Sequence, residues 1–237
     1  RYFASLQDWS LQKTGDPLHM DLKPVLISHL LCGSDSVRYM MAACRSLVTR
    51  AGPILQAPGP EAMFLAVCAD GTNEMWTKLA SVADVAALLA AYPKADWAGL
   101  LRDAGAFGLR RSLLIGASLA EVLLACPVPE AFHSVDEGSA VRRLVLAAAQ
   151  QLCAGKSLQT GVVRQTLFTM RSRDRVHDRW RYLTRLLFVP GAVELGQIAL
   201  PDRLYPLYSC MRPFRLAWDA WRGGSRRIVA AAPKPEP

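Results

Sequence analysis

Asp70 and Glu74 stand four residues apart, a spacing that brings two carboxylates onto one face of a helix. There they could hold a hard cation through oxygen ligands. The plainer reading of the same pair is the polar face of a surface helix. Phosphate chemistry is suggested by a different set. Between Arg164 and Arg227 the chain carries thirteen arginines, no lysine and five acids, so the entire net charge of +8 falls in that stretch. Planar, permanently charged guanidinium groups suit phosphate or carboxylate partners better than lysine does. Arg212 and Arg215, on either side of Pro213, are the candidates there, for a phosphate contact or for structural salt bridges. Without a ligand the stretch reads as solvated helix faces with local ion pairs, Asp174 and Asp178 meeting Arg171, Arg175 and Arg179.

Other chemistries drop out. The four histidines (His19, His29, His133, His177) share no cluster with a serine or cysteine nucleophile. Lys156 in Ala-Gly-Lys-Ser lacks the upstream glycine of a phosphate loop. The six cysteines are scattered without a CxxC pair, which reads as free thiols rather than a zinc site. No helix-turn-helix, aromatic RNA-binding motif or basic zipper is present, so nucleic acid is not an expected partner. Trp76 reads as a core residue. Asp84, among Ala and Val residues on a helix expected to be largely buried, would need a partner such as an arginine.

These residues need elements to position them. With 237 residues, 51% hydrophobic and 20% charged, and a mean hydropathy of +0.14, the chain can bury a sizeable core. Its longest apolar run, about Ser112 to Val128, is broken by Glu121 and falls short of the ~20 residues a membrane span needs. No basic-then-apolar segment follows Arg1, and a cytoplasmic location is expected. Residues 2–11 and 18–23, on either side of Thr14-Gly15-Asp16-Pro17, read as a pair of strands. From Ser36 the pattern is helical, and nothing later looks as much like strand. Helices are expected over 36–50, from Pro60, over 81–92, 96–107, 109–126 and 135–153, over 159–189 with a break near Arg171, and over 204–221 with interruptions at Pro206 and Pro213. The Pro-rich end, residues 230–237, reads as a disordered tail.

Several stretches, in order, resemble one family. The segment Asp70-Gly71-Thr72-Asn73-Glu74-Met75-Trp76-Thr77-Lys78-Leu79, followed by the helix with Asp84, is similar to the His-Gly-x-x-His-x-Trp-x-x-Leu helix of the bacterial uncharacterised nucleotidyltransferases. Asp96-Trp97, Gly108-Leu109-Arg110-Arg111 and Leu119-Ala120-Glu121 resemble that family's middle helices. Leu200-Pro201-Asp202-Arg203-Leu204 and Tyr208-Ser209-Cys210-Met211-Arg212-Pro213-Phe214-Arg215 resemble its C-terminal signature.

The resemblance implies an α/β (α+β), nucleotidyltransferase-like fold. Residues 1–58 would form the C-terminal part of the α/β core and 59–229 a helical domain. It also implies Mg²⁺-dependent transfer of a nucleotidyl group from an NTP to an unassigned acceptor. In this fold two cations sit on three carboxylates, beside a Gly-Ser turn and an Asp-x-Asp strand. The strand His19-Met20-Asp21-Leu22-Lys23 resembles the one that supplies the third acid. Asp21 is then the catalytic, metal-holding residue and Lys23 a substrate contact. Gly33-Ser34 follows Asp21 instead of preceding it, so the Gly-Ser turn and Asp-x-Asp are expected ahead of Arg1. Asp70 and Glu74 replace the family's two histidines, and carboxylates cannot offer imidazole. The competing reading is a catalytically incomplete member, whose helical body and arginines bind a phosphorylated ligand or a partner protein.

Overall fold

The computed structural model describes residues 9–12, 19–22, 34–48, 52, 54–135, 138–153, 162–189 and 205–221. Two short antiparallel hairpins accompany a helical body, an α+β arrangement. In the first, β1 (Trp9–Gln12) pairs with β2 (His19–Leu22), with Ser10 opposite Asp21. This is the expected strand pair. Helix α1 (Ser34–Ala42) follows, and here the expectation fails. The helix foreseen over 36–50 stops at Ala42, and the chain forms a second hairpin from β3 (Cys44–Val48) and β4 (Ile54–Pro58). The cause is a partner ten residues away. Gly52, with φ +97°, lets the chain reverse, which brings Leu47 into register with Leu55, and Ser46 Oγ accepts from Gln56 Nε2 at 2.8 Å. Cross-strand pairing outweighs a local helical tendency that had little packing to support it.

The remaining elements are helices: α2 (Pro60–Asn73), α3 (Leu79–Ala91), α4 (Trp97–Phe107), α5 (Arg110–Leu124), the one-turn α6 (Glu130–His133), α7 (Gly138–Cys153), α8 (Val162–Arg171), α9 (Val176–Phe188) and α10 (Tyr205–Trp221). The break expected near Arg171 separates α8 from α9. Pro213 lies inside α10 without ending it. Starts and stops follow local chemistry. Pro60 occupies the first turn of α2 with Glu61 beside it, and Asp96 caps α4 by accepting from the Gly99 amide at 2.8 Å. Lys156, Cys32 and the tail at 230–237 lie outside the described residues.

Helix α5 is the axis. It packs against α2, α3, α4 and α7, and Ser112 to Ala117 are buried without interruption, as befits a helix surrounded on all sides. An aromatic cluster closes one end of the core, with Phe64 5.0 Å from Trp97 and 5.6 Å from Phe132 between ring centroids. Trp76 is wholly buried, as the sequence suggested. A Cβ at Gly71 on α2 would lie 2.8 Å from its ring, and one at Gly116 on α5 would lie 2.9 Å from the ring and 2.6 Å from Cys68 Sγ. The indole therefore fills a slot that exists because both positions lack a side chain. Burial pushes the Cys68 thiol well above its usual range, which leaves it an inert packing group.

Gly116→Ala is therefore expected to overpack the slot and destabilise the fold by about 1–3 kcal/mol. Urea unfolding checks this: the midpoint should fall with an unchanged m value, and an unchanged midpoint would show that the slot can widen.

Candidate functional site

Helix α2 ends by reversing direction. Met75 and Trp76 adopt left-handed backbone, φ 57° and 54°, and the Trp76 amide donates to the Gly71 carbonyl at 2.7 Å. The reversal turns Trp76 into the core, after a last helical turn in which the Glu74 amide donates to the Asp70 carbonyl at 2.9 Å. Asp70 is exposed on the last turn of α2, whereas Glu74 is already past the helix as its C-cap, its carboxylate 2.8 Å from Lys78 Nζ. Among the described residues no three His, Cys, Asp or Glu side chains stand together as a group that could hold a metal ion. Asp21 lies on β2 opposite Ser10, and Lys23 lies outside the described residues.

The expectation for Asp84 is overturned. It is exposed on α3, because the buried stripe of that helix is Val82, Val85 and Leu89, and a solvated acid needs no partner. Arg212, by contrast, is only 3% exposed. Its Nε donates to the Leu186 carbonyl at 2.6 Å, tying α10 to α9. Arg215 is half-buried on the same helix.

The local ion pairs expected of Asp174 and Asp178 do not form. The N-cap position of α5 is Leu109, which has no side-chain acceptor, and the first amides of the helix need one. Asp174, in the connection between α8 and α9, supplies it. Its carboxylate accepts from the Arg110 amide at 2.9 Å and the Arg111 amide at 3.0 Å, with Arg111 Nε 3.8 Å away. Burial pushes this carboxyl above its ordinary value. The two amide bonds and the charges of Arg111 and Arg110 pull it back only in part. Asp178, in the first turn of α9, lies against Gly108, where φ is +69° and no side chain could fit. Both acids are thus turned toward the core and away from the neighbouring arginines.

What remains beside them is a cleft of about 540 Å³ between α5, α7, α8 and α9. Five arginines line it, Arg111, Arg143, Arg164, Arg171 and Arg179, and among the described residues no acid does. Arg111 Nη1 donates to the Arg173 carbonyl at 3.1 Å and Arg179 Nη2 to the same carbonyl at 3.3 Å. The sequence reasoning missed this set. Its signal was the charge imbalance of residues 164–227, but the contributions of α5 and α7 come from outside that stretch.

The profile of the family described as uncharacterised nucleotidyltransferase matches residues 7–125. No curated protein and no solved structure matches the chain.

Asp174→Ala should remove the cap of α5 and cost about 1–2 kcal/mol, read as a lower urea midpoint. Because the native carboxyl binds its proton more tightly than the unfolded one, that group stabilises the fold as pH falls through the raised pKa. The stability of the wild type relative to Asp174→Asn should therefore decrease as pH rises from the ordinary carboxylate range to neutrality. A difference independent of pH would contradict the shift.

Proposed function

Because the chain belongs to the uncharacterised nucleotidyltransferase family, we propose that it acts in transfer of a nucleotidyl group from a nucleoside triphosphate to an acceptor. The observation that carries this reading is the family match over residues 7–125, half of the chain. The match includes Asp21 on β2 and the Asp70-to-Trp76 segment that ends α2. Asp21 is the residue on which the proposal rests most directly, as an acid of the transfer site.

The described side chains do not by themselves fit the Mg²⁺ that such a reading implies. Asp70 is exposed, Glu74 is paired with Lys78, and no third ligand joins them among the described residues. Cation dependence enters the proposal as a property to be measured, with Asp21 as the contribution of this chain. Among the described residues no helix is long and apolar enough to cross a membrane.

Calorimetric titration of the full natural protein with NTPs, with and without Mg²⁺, tests the reading. An Mg²⁺-dependent component of binding is expected, and Asp21→Asn should weaken that component by about tenfold or more while leaving the thermal midpoint in place. Absence of any Mg²⁺-dependent component, or its indifference to Asp21→Asn, would overturn the proposal.

A further inference from the structure

We propose that the five-arginine cleft is an oligophosphate site: it takes a small molecule bearing a diphosphate or triphosphate group, independently of a metal ion. The site stands on residues that no family match assigns, since four of its arginines lie beyond residue 125, and it does not depend on the transfer reading.

The argument begins with charge. Arg111, Arg143, Arg164, Arg171 and Arg179 come from four helices that meet only through the tertiary fold. Clustering like charges costs energy, and a stability-neutral surface intersperses acids. Here the two acids closest in sequence, Asp174 and Asp178, are taken up by the start of α5 and by Gly108. Among the described residues no carboxylate pairs with Arg143, Arg164, Arg171 or Arg179, and the one ion pair of the set, Arg111 with Asp174, has its acid outside the cleft lining.

The polar groups buried within the cleft point the same way. Gln151 is 6% exposed and lines it, and its amide Nε2 is buried without an acceptor. Arg179 Nε is likewise buried without one. Buried donors left unpaired cost about 1–3 kcal/mol each, so the cleft is built for a ligand rich in acceptors. Phosphate oxygens are acceptors only, and guanidinium groups engage them through parallel N–H bonds.

Size and floor narrow the class. About 540 Å³ is the volume of a small-molecule pocket, and the arginines converge on one cleft instead of forming the stripe that a nucleic acid backbone would follow. Met75, Leu144 and Phe168 give the cleft an apolar wall, on which the non-phosphate body of the ligand can lie. The shared chemistry is the oligophosphate group, whether it arrives free or on a nucleotide.

The test uses the full natural protein in EDTA, titrated with inorganic triphosphate. One-to-one binding is expected. Arg164→Gln combined with Arg171→Gln should weaken it by at least about tenfold, because neither side chain bonds elsewhere among the described residues and both are exposed. Arg142→Gln, an exposed neighbour outside the cleft lining, should change affinity by less than about twofold, as expected for one screened charge. Thermal midpoints of the variants should not fall below that of the wild type, since removing a clustered charge relieves repulsion. Tighter binding of ATP than of inorganic triphosphate would identify a nucleotide as the source, and equal binding a free oligophosphate; both support the site. Absence of binding, equal loss in Arg142→Gln, citrate binding as tightly as triphosphate, or preference for a single-stranded oligonucleotide would each overturn it. Asp21→Asn should leave this metal-free binding unchanged. The oligophosphate site and the transfer site can therefore fail separately.

Discussion

The enclosure of one indole ring sets the geometry of the helical body. Trp76 fits between α2 and α5 because Gly71 and Gly116 present bare backbone to its faces, and the chain must reverse to deliver it there. That reversal places Met75 and Trp76 in left-handed backbone, at roughly 1–2 kcal/mol per residue, and leaves the indole N–H without an acceptor, at about 1–3 kcal/mol. Burial of the Trp76 and Met75 side chains returns roughly 5–9 kcal/mol. The balance is favourable but narrow, so the slot tolerates little change in volume.

A second dependency is layered on the first. Helix α5 is held in place by Trp76 on one side, yet its N-terminus has no acceptor of its own at Leu109. Asp174 satisfies it from a distance of more than sixty residues in sequence. The cap therefore joins α8 and α9 to the central helix, and Arg111 strengthens the junction by reaching back to the Arg173 carbonyl. Desolvation makes this an expensive place for a carboxylate, and the amides of a helix start are among the few groups that offset such a cost.

The sequence made legible what local chemistry governs. The β1–β2 hairpin, the Pro60 start of α2 and the break after Arg171 all follow from residues within a few positions of the event. The burial of Trp76 was visible too, and so was the family, through the order of its segments. The second hairpin was hidden because Cys44–Val48 has no strand character without Ile54–Pro58 beside it. Asp84 was misjudged because an Ala-rich helix shows no clear polar face: Ala87 and Ala90 are exposed while Val82 and Val85 are buried. The arginine cleft was legible only as an excess of charge. Its assembly depends on Asp174 and Asp178 facing inward, which is decided by a missing cap at Leu109 and a missing side chain at Gly108, both far in sequence from the cleft arginines of α7, α8 and α9.

The same absence of side chains and caps that orders the core thus shapes the surface. Had Leu109 been a serine or aspartate, α5 would cap itself and Asp174 would be free to neutralise the arginines around it. Had Gly108 carried a side chain, Asp178 would be forced outward among them as well. As built, the rear of the cleft is fixed, because Arg111 and Arg179 both donate to the Arg173 carbonyl on a residue only 1% exposed. Its front is formed by the exposed Arg164 and Arg171, whose side chains make no competing bond among the described residues. The preorganised inner pair lowers the ordering cost of binding an anion, while the outer pair stays available to close on it, and this division arises from how the core solves its own hydrogen-bonding problem.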